Sequence, residues 1–148
     1  MLDATLRESL RLRSVKKFFI DKFNASIPVF FDVIEDAPKV GNVVVDKWMS
    51  VTIRSTSLGT LASSLVYVYL FVNNDSDGSK MAELVDVLTD SLINLEENDG
   101  RQRIIIYDAD WNEAYHSVVA LLDPLETITL ENRIKTKLVP FSLYWGAK

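Results

Sequence analysis

Trp48-Met49-Ser50-Val51-Thr52-Ile53-Arg54 and, after a polar link, Leu65-Val66-Tyr67-Val68-Tyr69-Leu70-Phe71-Val72 decide how this chain is read. In the first segment Met49, Val51 and Ile53 alternate with Ser50, Thr52 and Arg54. A period of two with one polar side is a strand with one face in a core. The second segment is aliphatic or aromatic throughout, which predicts a strand covered on both faces. The helix that follows supplies one cover. A second helix or a neighbouring subunit supplies the other. Asn73-Asn74-Asp75-Ser76-Asp77-Gly78 reads as a turn, and a helix follows to Leu95. Its Met81, Leu84, Val85, Leu88, Leu92 and Leu95 fall at spacings of three and four, an apolar stripe from which Glu83, Asp86 and Asp90 are displaced. Asp77 or Ser79 can accept from its free N–H groups. Asn98-Asp99-Gly100 is a stop signal.

Upstream, residues 2–23 form a first helix, with Leu6, Leu10, Val15, Phe18, Phe19 and Phe23 on its apolar side. Asp3 can cap it, and Thr5 with Glu8 has capping-box spacing. Its polar side carries Arg7, Arg11, Arg13, Lys16, Lys17 and Lys22. Such a helix suits a membrane surface or a partner, but the simpler reading is a solvated face over a core stripe. Asn24-Ala25-Ser26 breaks it. Ile27-Pro28-Val29-Phe30-Phe31-Asp32 is a short strand, with Pro28 at its start or on an edge. Residues 35–42, with Pro38 and Gly41, read as a loop. Val43-Val44-Val45 is either a separate short strand or the approach to Trp48. Residues 55–64 are small and polar and read as a loop too long for a tight hairpin. Leu58 and Leu61 within it are either contact anchors or fold back on the sheet.

Downstream, Arg103-Ile104-Ile105-Ile106-Tyr107 is a buried strand. Residues 108–122 are ambiguous. Asp110 with Glu113 resembles a capping box, and Tyr115, Val118, Val119 and Leu122 have helical spacing, yet a strand fits equally. Asp123-Pro124 ends either. Residues 125–130 alternate with one slip. Glu131-Asn132-Arg133 is a turn. Residues 138–145 form a last strand, in which Pro140 predicts an edge or a bulge. Two or three helices and about six strands, without βαβ alternation, predict an α+β fold with a mainly antiparallel sheet.

The 148 residues fit a single domain able to bury a core. A net charge of −5 argues against a dedicated nucleic-acid binder. The chain has no cysteine, which excludes disulfide and thiol chemistry. It opens without an apolar signal-peptide core, and no apolar run approaches the roughly 20 residues of a membrane span. Asn24-Ala25-Ser26 and Asn74-Asp75-Ser76 match the glycosylation triplet, by chance if no secretion signal exists.

The candidates for chemistry are sparse. His116 is the single histidine, and no serine lies in a Gly-x-Ser-x-Gly elbow, so a surface or structural role is expected for it. Asn73-x-Asp75-x-Asp77-Gly78 opens like a calcium loop, but Leu84 stands where a bidentate Glu is required; a turn and helix cap explain the stretch. Asp108 and Asp110 follow a strand, and only Glu113 lies near enough in sequence to join them. Solvated loop carboxylates are the expectation. No phosphate-binding glycine loop is present. No catalytic residue, metal or cofactor is assigned.

Charge is distributed unevenly. The first helix carries six cations against Asp3, Glu8 and Asp21, whereas residues 75–99 hold eight acids against Lys80. Opposite charge on different faces suits head-to-tail association. Two helices packed side by side within one subunit would use it equally well.

In element order and local phrases the chain resembles the tail terminator proteins of long-tailed bacteriophages. The resemblance is carried by the leading helix, Ile27-Pro28-Val29-Phe30-Phe31, Lys47-Trp48-Met49-Ser50-Val51, and the long apolar strand with its acidic turn. It continues through the helix with Leu88-Thr89-Asp90, then Ile104-Ile105-Ile106-Tyr107-Asp108, and the closing Leu143-Tyr144-Trp145. Residues 108–124 do not match. The resemblance implies an α+β subunit of a homohexameric ring at the head-proximal end of the virion tail, made in the host cytoplasm. Such a ring caps the tail-tube protein, ends its polymerisation and receives head-completion or connector proteins. DNA passes through the lumen without specific binding, which an acidic lining favours. Arg7, Arg11, Lys17, Asp86 and Asp90 are then subunit-interface candidates, and Thr56, Leu58, Thr60 and Leu61 tube-docking candidates. Reversing Arg11 with Lys17 is expected to weaken the ring and spare the monomer. Another tail-tube or head–tail joining protein, or a small ligand-binding domain or enzyme, are the alternatives.

Overall fold

The two strands that open the sequence reading pair as a long antiparallel hairpin. The computed structural model describes residues 7–23, 26–31, 37–40, 43–57, 61–97, 99–130 and 132–146. In chain order the elements are α1 (Glu8–Phe23), β1 (Val29–Phe30), β2 (Lys39–Val40), β3 (Val43–Val44), β4 (Lys47–Ser57), β5 (Leu61–Val72), α2 (Ser79–Ser91), β6 (Arg103–Tyr107), β7 (Glu113–Leu121), β8 (Ile128–Thr129) and β9 (Lys135–Gly146). β4 and β5 pair from Lys47↔Val72 to Ser57↔Ser63, with a slip between Ile53 and Ser55. The polar stretch expected as a loop is therefore mostly strand. Its hydroxyls take the place of apolar cross-strand contacts: Thr56 Oγ1 lies 3.1 Å from Ser64 Oγ.

The main sheet runs β1-β4-β5-β9-β7-β6, with β8 paired to β9; β2 and β3 form a separate two-stranded ribbon. β1 is parallel to β4, and the other pairs are antiparallel. The fold is thus α+β with a mostly antiparallel sheet, as the sequence implied. β9 pairs along its whole length with β5. Its opposite edge carries β7 against residues 141–144 and β8 against residues 135–136.

Pro140 was expected at an edge or bulge, yet it sits in this interior strand. The Pro140 carbonyl accepts from the Leu122 N–H, so its ring nitrogen faces the gap where the ladder loosens between β7 and β8. A missing N–H removes no regular ladder bond at that point.

The alternation along β5 sorts its side chains by face. Ala62, Val66, Val68, Leu70 and Val72 enter one large core with Met49 and Val51 of β4 and Val139, Phe141 and Leu143 of β9. Both helices feed this same core, α1 through Val15, Phe19 and Phe23 and α2 through Met81, Leu84 and Leu88. Phe19 stacks on Phe141 at 6.2 Å between ring centroids. Each such side chain contributes roughly 1.5–3 kcal/mol by leaving water. α1 also touches both edge strands, β1 and β6, so the sheet curls around it. Its residues 1–6, including the proposed Asp3 and Thr5 caps, lie outside the described residues.

The opposite face of β5 is covered differently from expectation. Trp48 stacks on Phe71 at 5.2 Å with Val45 and Ile134, and half-buried Phe30, Ala37, Tyr69 and Leu130 close around them. That cluster covers one end only. Neither helix lies on this face, so of the two covers the sequence left open, a second helix or a neighbouring subunit, the helix is excluded.

In the second half, residues 108–122, readable as helix or strand, resolve as a turn and β7. The α2 stripe ends before Leu95, which is 89% exposed beyond the helix.

Candidate assembly interface

The helix α1 carries the cations singled out in the sequence, but the fold separates them. Arg11 is 3% exposed, and its guanidinium lies 5.4 Å from the Trp145 ring. It packs among core side chains, so reversing it would disturb the monomer; this corrects its assignment to a solvated basic face. Arg13 stacks 3.8 Å above the Trp111 ring and donates to the Asp108 carbonyl, pinning the β6–β7 turn to α1. Arg7 is half-buried. Lys17 bonds to Asp21 at 2.6 Å, and that hydrogen bond holds its ammonium above its ordinary pKa.

Asp86 and Asp90 are exposed on α2, as is Glu83. Among the described residues no ion pair joins α1 to α2: the pairs seen are Lys17–Asp21, Lys80–Asp46, Arg103–Asp99 and His116–Glu113. Among these residues the uneven charge does not fasten the two helices together. Of the tube-docking candidates, Thr56 is half-buried in β4 and Leu61 opens β5; Leu58 and Thr60 lie outside the described residues.

The carboxylates suspected of metal binding have backbone partners. Asp75 accepts from the N–H groups of Lys80 (3.2 Å) and Met81 (3.0 Å) at the start of α2. Asp77 accepts from the Ser79 hydroxyl and N–H, and these bonds hold its carboxyl below the usual range. Asp108 accepts from Asp110 and Asn112 N–H groups, closing the turn in which Trp111 adopts φ 62°. Among the described residues no three carboxylate or imidazole groups gather as a metal site. His116 is exposed on β7, 3.3 Å from Glu113.

Among the described residues, three surfaces have no element over them. The first is the outer sheet face, where Leu65, Tyr67, Leu138 and Tyr144 are half-buried and Arg54 lies 5.5 Å from the Tyr67 ring. The second is a groove of about 400 Å³ between α1 and β6. Phe18, Ile105 and Tyr107 form its apolar part, while Lys17, Lys22 and Arg103 outnumber Asp21 along it. The third is the extended segment 121–129, exposed at every residue. Its backbone is tied to β9 by Leu122 N–H to Pro140 O at 3.2 Å and Leu125 N–H to Leu138 O at 2.9 Å. Leu121, Leu122, Leu125 and Ile128 are 40–60% exposed along it. The sequence marked residues 125–130 as a strand but gave no sign that its apolar side would lack a core.

No protein-family model and no curated protein matches the chain. A solved structure whose designation describes no function is similar over 97% of this chain and 99% of its own, with a TM-score of 0.57 at 12% identity. At that identity the likeness is one of fold.

Proposed function

We propose that the chain is a structural subunit that assembles with copies of itself into a ring, in the manner of the phage tail terminators it resembles. The observation that carries the self-association is the outer face of β5 and β9. An apolar strand with no polar position from Leu65 to Val72 has helices on one face only, and among the described residues no element lies over Tyr67, Leu138 and Tyr144 on the other. Half-buried apolar and aromatic side chains grouped on one sheet face suit burial against a partner. The terminator role itself is supported by the sequence phrases from Ile27 to Trp145. In this role the ring caps the tail tube, and the protein does no covalent chemistry.

The test is to add the purified chain to a long-tailed phage's tail-tube protein while that protein polymerises. Tubes should stop growing and carry one ring at an end. Tubes of unchanged length without bound rings would rule out the terminator role. If the chain itself grew into tubes, it would be a tube protein instead.

A further inference from the structure

We infer that the groove between α1 and β6 receives the extended segment 121–128 of a second copy, so that subunits join head to tail. The inference rests on the ring reading above and names the surfaces that would meet.

The segment has the character of an unsatisfied edge. Leu121, Leu122, Leu125 and Ile128 are 40%, 42%, 56% and 60% exposed, and Asp123 and Glu126 lie among them without a cation. One edge of its backbone bonds to β9; β6 pairs only with residues 113–118 of β7, so among the described residues no strand pairs with the other edge. Exposed apolar edges are pairing templates, and Pro124, which lacks an N–H, limits this one to the donors on either side of it. The bonds to β9 hold this one extended before it meets a partner, which lowers the ordering cost of docking.

The groove has the complementary character. The Tyr107 N–H points away from β7, to Ser14 Oγ at 2.9 Å. Alternation along a strand places the Ile105 N–H and C=O on that same outer edge, facing the groove. A cleft between a strand edge and a helix is the geometry in which proteins add an extended segment to a sheet. Phe18 and Ile105 offer contact to the leucines; Lys22 lies along the groove to meet Asp123 or Glu126, and Lys17 and Arg103, already bonded to Asp21 and Asp99, would share their charge with the incoming acids. The exposed acids of α2 are a poorer match. Glu83, Asp86 and Asp90 are accompanied there by Val87 alone among exposed large apolar residues, and surface charge by itself stabilises little. Because segment and groove are different surfaces of one subunit, the contact is heterologous and propagates until a ring closes.

The absence of cysteine makes the contact directly testable. The full-length Gln102→Cys/Leu125→Cys chain, mildly oxidised, should give a ladder of disulfide-linked oligomers on a denaturing gel. A mixture of the two single variants should give dimers at least tenfold above either alone. In parallel, Lys17→Glu/Lys22→Glu and Asp123→Lys/Glu126→Lys should each weaken self-association at least tenfold in sedimentation, with unchanged circular dichroism. Mixing the two should restore it. Wild-type oligomers without a ladder, and charge-reversed chains that assemble like wild type, would overturn this contact and leave the ring standing. A wild-type chain that stays monomeric at every concentration and on tube tips would overturn both.

Discussion

Asp75 is 7% exposed, and its two carboxylate oxygens accept the N–H groups of Lys80 and Met81. A buried acceptor at a helix start holds donors that would otherwise be left without partners. Replacing Asp75 with Ala should therefore cost about 1–3 kcal/mol in urea unfolding. A loss indistinguishable from zero would contradict the role. The sequence showed a helix start here and named Asp77 or Ser79 as acceptors. Asp75 was hidden because the choice among acids in one turn depends on how that turn folds back. Asp77, bonded first by the Ser79 hydroxyl, and Asp99, bonded first by the Arg103 side chain, are both held below the ordinary carboxylate range. A folded-state value below the unfolded one gives stability that is present above the unfolded value and lost as pH falls through the folded one. Carboxyl NMR titration should place both midpoints below those of the urea-unfolded chain. Coincident midpoints would refute these bonds.

Among the elements, β7 shows why a strand resisted reading. Its core-facing positions include Ser117 beside Val119, both buried, and Ser117 Oγ donates to the Ile104 carbonyl at 2.8 Å. A serine in a core slot breaks the apolar alternation that marks a strand, and the remaining Tyr115, Val118, Val119 and Leu122 mimic helical spacing. Pro140 misled for a related reason: composition indicates an edge, whereas only the sheet order reveals a gap beside an interior strand. α2 was legible because its stripe is regular, and Leu84 and Leu88 reach full burial. Leu88→Ala should lower stability by about 2–5 kcal/mol in denaturant titration, since the surrounding sheet cannot collapse into the space. A change under about 1 kcal/mol would mean that α2 packs less tightly than a helix in a close-packed core.

Across the whole molecule, the fold class followed from the alternating and continuous apolar strands, but the uncovered surfaces did not. Which face a helix covers is settled by the curl of the sheet around α1, and sequence periodicity does not carry that. Both helices on one face leave the outer face of β5 and β9, the α1–β6 groove and the segment 121–129 for contacts outside the subunit. Among the described residues no ion pair joins the charges of α1 to those of α2, for which the sequence left head-to-tail association and side-by-side packing both open. Self-association is the central claim, and negative-stain electron microscopy of the purified chain at high concentration tests it most directly. Closed rings of uniform diameter with a central hole, and no tubes, are the predicted result. A field of single small particles, unchanged when tail tubes are supplied, would contradict it.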